Sequence, residues 1–127
     1  MAAFQKTHND FVDHVVETMC ELGPVTAKPM FGGWGLYRDG LFFAIVFEDM
    51  LYFKVDDENC APFEKANLPP FVYVTKDGER MTLSYRQAPP EALETRSAMA
   101  EWARLGYEAA VRAKNRKPAR RRKPVQS

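Results

Sequence analysis

Four groups of residues in this 127-residue chain have the types and spacing from which chemistry could be built. Gly32-Gly33-Trp34-Gly35 invites comparison with a phosphate-binding loop, in which backbone amides converge at a helix N-terminus. No Gly-Lys-Ser/Thr follows, and the segment leads into Leu36-Tyr37 and a hairpin signal rather than a helix, so the glycines read as a bend in a strand. His14 has Asp10 one helical turn before it and Asp13 beside it, but no motif ties a serine or cysteine to it. A surface histidine between carboxylates is the better account, and His8 has still less to recommend it. Asp56-Asp57-Glu58 could suggest a cation site, yet the longer oxygen series and central glycine of an EF-hand loop are missing, and these acids suit the start of a helix. Cys20 and Cys60 are far apart, without Cys-x-x-Cys spacing and with two histidines as the other soft ligands, so no zinc site is legible. Both thiols read as structural, in a reducing compartment. No catalytic, metal-binding or cofactor-binding residue is assigned, and an enzymatic role is not expected.

Charge distribution is more informative than the net of +1. Residues 112–123 carry eight bases and no acid; setting those aside leaves ten of the 18 bases against 17 acids, a net of −7 over residues 1–111. The body is acidic and the tail basic. Arg116, Lys117, Arg120, Arg121, Arg122 and Lys123 can neutralise phosphates without reading bases, so loose, salt-sensitive nucleic-acid contact competes with a solubilising role. Tyr37, Phe42, Phe53, Phe71 and Tyr73 could form the stacking platform of a single-strand binder. A core role is preferred, because no Lys/Arg-Gly-Phe/Tyr signature accompanies them and an acidic body repels phosphate.

The elements that must position these groups follow from periodicity. Phe11, Val12, Val15, Val16, Met19 and Leu22 recur at helical spacing between acids, with Asn9 or Thr7 as cap and Gly23-Pro24 as stop. Thr26 to Tyr37 reads as one strand bent at Gly32, Gly33 and Gly35. Asp39-Gly40 is a two-residue hairpin signal. Leu41 to Phe47 lacks alternation, as in a central strand covered on both faces. Glu48-Asp49 makes the next turn, and Leu51, Phe53 and Val55 then face one way while Met50, Tyr52 and Lys54 face the other. A short helix is expected from Glu58 to Ala66, strands at Phe71 to Thr75 and Arg80 to Gln87, and a helical stretch from Pro89-Pro90 to about Lys114, with a restart at Thr95 left open. Met99, Trp102, Ala103, Gly106 and Ala110 mark its buried stripe. The resulting class is α+β, a curved antiparallel sheet of about five strands with an N-terminal, a short middle and a long C-terminal helix. Residues 1–114 form the expected domain and residues 115–127 a basic tail expected to be disordered. The longest apolar run is far short of the roughly 20 residues that span a bilayer, and no secretory signal is legible, which makes a cytoplasmic location the expectation.

The series Lys28-Pro29-Met30-Phe31-Gly32-Gly33-Trp34-Gly35-Leu36-Tyr37, Asp39-Gly40, Phe43-Ala44 and Leu51-Tyr52-Phe53-Lys54-Val55-Asp56 resembles the N-terminal domain of the TfoX/Sxy family. Tyr85, Pro89 and the helix carrying Trp102-Ala103 continue the match. The resemblance implies a curved antiparallel sheet with helices packed on it. It also implies a regulatory or adaptor role, since two-domain members regulate natural competence in concert with the cyclic-AMP receptor protein. Here the basic tail follows the last helix where those members have a second domain, so a stand-alone domain is expected. YjbR/MmcQ-like domains are a second, more distant comparison that the glycine series fits less well. The expected partner is a protein, with transcription machinery the leading class; direct nucleic-acid binding through the tail is the alternative. Oligomeric state is not legible.

Overall fold

The computed structural model describes residues 9–30 and 32–122, with side chains as far as Arg116. Helix α1 (Asp10–Thr18) starts where the Asn9 carbonyl oxygen Oδ1 accepts the Val12 amide at 3.0 Å, and a 3₁₀ turn, Met19–Glu21, ends it before Gly23 at φ +123°. Strands β1 (Thr26–Met30), β2 (Gly33–Arg38), β3 (Leu41–Phe47) and β4 (Met50–Lys54) follow, then α2 (Cys60–Lys65), β5 (Pro70–Val74), β6 (Arg80–Gln87) and α3 (Arg96–Arg122). All strands join one antiparallel sheet in the order β1-β2-β3-β4-β6-β5.

The class is the expected one, but the sheet has six strands among the described residues. The segment read as one bent strand is a hairpin: Met30 faces Gly33 across the pair, and Gly32 takes a left-handed φ of +85° in the connection. The irregularity expected at the glycines lies later. Leu36 faces Ala44 and Tyr37 faces Phe42, which leaves Phe43 as the extra residue of a bulge in β3. Asp39 (φ +54°) and Gly40 (φ +78°) form the expected two-residue turn, and Glu48-Asp49 forms another with both φ positive.

The Pro90–Leu93 segment is a 3₁₀ turn, and α3 restarts behind Thr95, whose hydroxyl accepts the Ala98 amide at 3.1 Å. Expected to end near Lys114, α3 instead continues to Arg122. Its buried stripe, Met99, Ala103, Gly106 and Ala110, lies on the sheet, with Trp102 edge-on to Phe63 of α2. A Cβ at Gly106 would stand 3.1 Å from the Phe43 carbonyl and 3.2 Å from the Phe53 Cβ, so glycine sets how closely α3 approaches β3 and β4.

The sheet separates two apolar clusters. On one face Leu36, Phe43, Ala44, Val46, Leu51 and Phe53 pack against the helices. On the other, Ile45, Phe71 and Tyr85 pack with Phe42, Phe47, Tyr52, Tyr73 and Leu83, and among the described residues no helix contributes to this cluster. β3 is buried on both faces because both clusters draw on it.

Candidate functional site

Gly33 and Gly35 lie inside β2, away from any helix N-terminus, and their lack of side chains serves packing. A Cβ at Gly33 would overlap the Val46 carbonyl, and one at Gly35 would come within 2.7 Å of the Met30 sulfur. Asp39 does more than turn the chain. Its Oδ2 accepts the Tyr107 hydroxyl at 3.1 Å and pairs with Arg38 at 3.2 Å, while the Arg38 guanidinium lies 4.8 Å above the Tyr107 ring. The hairpin is thereby tied to α3. His14 is exposed, with Nε2 3.3 Å from the Leu93 carbonyl oxygen, and His8 and Thr7 lie outside the described residues. Among the described residues, His, Cys, Asp and Glu form no group of three or more able to hold a metal ion.

The acids read as helix caps are part of a larger network. Asp56 Oδ1 accepts the Glu58 and Asn59 amides at 3.0 and 3.1 Å, and Asn59 Oδ1 accepts the Asp56 amide at 2.7 Å. Arg112 of α3 then donates two hydrogen bonds to the Asp56 carboxylate, at 2.7 and 2.8 Å. This engagement holds α2 to Cys60–Lys65, shorter than the Glu58 to Ala66 expected. Sequence reasoning missed Arg112 because nothing local marks a partner so distant along the chain. The arginine hydrogen bonds hold the Asp56 carboxyl below the usual carboxylate range, against the opposing effect of burial. A depressed folded-state value contributes stability that is present above the unfolded-state value and lost as pH falls through the folded one. Arg112→Met is expected to lower the unfolding free energy at neutral pH by about 2 kcal/mol. Urea titrations at neutral and acid pH should find that penalty shrinking as Asp56 protonates.

Of the basic residues, Arg116 is exposed on α3; the side chains of Lys117, Arg120, Arg121 and Arg122, and the whole of Lys123, lie outside the described residues. The five aromatic residues are not one platform. Phe53 is buried on the helix side and Phe71 beneath its neighbours, whereas Tyr37, Phe42 and Tyr73 are half-buried on the opposite face.

That opposite face carries the most organised arrangement outside the core. Lys28 Nζ sits 4.9 Å from the centre of the Tyr37 ring, Tyr37 stacks on Phe42 at 5.2 Å, Phe42 meets Tyr85 at 5.5 Å, and Lys54 Nζ lies 5.4 Å from the Tyr85 ring. Tyr85 is 5% exposed, and its buried hydroxyl has no hydrogen-bond partner. Burial first, and Tyr37 second, push this phenol well above its ordinary value, so it stays protonated and able to donate. Met50 and Met81 are exposed apolar side chains on the same face, by their pairing with Phe47 and Tyr73.

Residues 17–110 match the model of the TfoX N-terminal domain family. No curated protein matches the chain.

Proposed function

The chain belongs to the TfoX N-terminal domain family, and from that premise we propose that it is a non-catalytic regulatory or adaptor protein that acts by binding a protein partner in the control of transcription, competence genes being the leading target. The family match is the observation that carries this reading. The arrangement of its motif residues supports it: the glycines of β2, the Asp39 turn and the Asp56 network are engaged in building the fold. Deleting the gene is expected to lower transcription of DNA-uptake genes, and the tagged protein is expected to co-purify with the cyclic-AMP receptor protein or RNA polymerase. Unchanged transcription together with no such partner would reject the proposal.

A second reading rests on the charge separation. Eight bases without an acid over residues 112–123 suit direct, sequence-independent nucleic-acid contact. Replacing Arg120, Arg121, Arg122 and Lys123 by serine should then abolish a duplex-DNA mobility shift. An unchanged shift would remove those residues from consideration.

A further inference from the structure

We propose that the outer edge of β5 pairs with β5 of a second copy of this chain, joining two sheets into one across a two-fold axis at Tyr73. An open sheet leaves two edges, here β1 and β5, and each presents backbone amides and carbonyls to any strand that can reach them. The two edges differ. β1 carries Lys28 and Pro29, and a proline has no amide hydrogen to give; both residue types keep an edge from pairing further. β5 reads Pro70-Phe71-Val72-Tyr73-Val74, with no charge, no glycine and its proline at the first position. Among the described residues β6 is its one neighbour in the sheet.

The hairpin that ends β5 determines which backbone groups face outward. The Thr75 amide donates to the Glu79 carbonyl at 2.9 Å, and the Thr75 carbonyl accepts the Gly78 amide at 2.9 Å, so Thr75 turns its backbone toward β6. Antiparallel ladders alternate residue by residue. Tyr73, opposite Met81, and Phe71, opposite Leu83, therefore also turn inward. Val72 and Val74 are left with amide and carbonyl directed away from the sheet. Their side chains lie on the face opposite Phe71 and Tyr73. Val74 is 54% exposed there, since α3 packs over β3 and β4.

Self-complementarity selects the occupant. Val72-Tyr73-Val74 reads the same in both directions. An antiparallel copy centred on Tyr73 sets Val72 against Val74 of the second copy, and Val74 against its Val72. Both backbone groups of both valines gain a partner in that one register, and their side chains meet across a seam to which neither strand brings a charge. Such a contact is isologous, and because β1 is blocked the assembly closes at two chains instead of growing into a fibre. A seam this short belongs with small, exchanging interfaces, with a dissociation constant on the order of tens of micromolar.

Sedimentation velocity of the full chain, loaded from about 1 to about 500 µM in about 0.5 M sodium chloride, tests this with charge-driven association of acidic body and basic residues suppressed. The weight-average mass is expected to rise from 14.5 kDa toward twice that value. Val74→Pro removes an amide hydrogen that β6 does not use, and is expected to weaken the dimer at least about tenfold. Val74→Lys, at an exposed position that tolerates the change, should do the same by placing a cation against Val72 of the second copy. Circular dichroism matching the parent shows that each variant has folded. Hydrogen exchange needs no variant: the Val72 and Val74 amides should exchange freely in dilute solution and gain protection as the dimer forms. A monomer at every concentration, a dimer that the folded variants leave intact, or a dimer in which those two amides stay unprotected would overturn the proposal. The last result would move the contact to another surface. None of these outcomes touches the proposed protein-binding role, which is read by gene expression and co-purification.

Discussion

Asn59→Leu is expected to lower the unfolding free energy by about 4 kcal/mol, the largest effect of any single polar substitution considered for this protein. Asn59 is 4% exposed and uses both ends of its amide. Its oxygen accepts the Asp56 amide, and its nitrogen donates to the carbonyls of Lys54 at 3.1 Å and Leu105 at 2.9 Å. One side chain thus joins the end of β4, the turn before α2 and the middle of α3. Leucine has similar volume but neither donor nor acceptor, so the partners lose a bond without regaining water. Thermal denaturation followed by circular dichroism should register a drop of more than about 10 °C. A drop of only a few degrees would mean that water reaches the Lys54 and Leu105 carbonyls.

Gly33→Ala should cost about 3 kcal/mol despite adding a single methyl group. The added carbon would overlap the backbone oxygen of Val46 and approach the Phe47 ring to 3.0 Å. A flexible side chain could rotate away, but a carbonyl inside a strand cannot move without disturbing the β2–β3 ladder, where Trp34 faces Val46. By contrast, alanine at an ordinary strand position improves on glycine by a fraction of a kcal/mol. Chemical denaturation distinguishes the two cases by sign.

Local signals read well here, and signals that depend on pairing read poorly. The unbroken apolar run of Leu41–Phe47 identified a central strand because burial on both faces removes alternation, and Asp39-Gly40 fixed its hairpin because both residues tolerate positive φ. The β1–β2 hairpin was missed because its connection lacks an Asn-Gly or Asp-Gly pair, so the glycines suggested bending within one strand. The aromatic residues illustrate the same limit. Nothing local separates Phe53 from Phe42; their opposite faces follow from pairing with Arg86 on β6 and Tyr37 on β2. The Asp56–Arg112 bond joins positions whose proximity exists only once α3 has crossed the sheet. Its extension to Arg122 ran against the prolines and bases that suggested an earlier stop.

The strand order has a consequence for how the chain reaches this state. β1 to β4 are neighbours in sequence as in space, joined by short reversals, so that four of the six described strands close through contacts of low sequence separation. β6 must then enter between β4 and its own hairpin partner β5, a pairing that spans the whole of α2. Loop-closure entropy concentrates in that one step. Strands β1 to β4 are therefore the natural nucleus, with the β5–β6 hairpin and α3 docking onto them last.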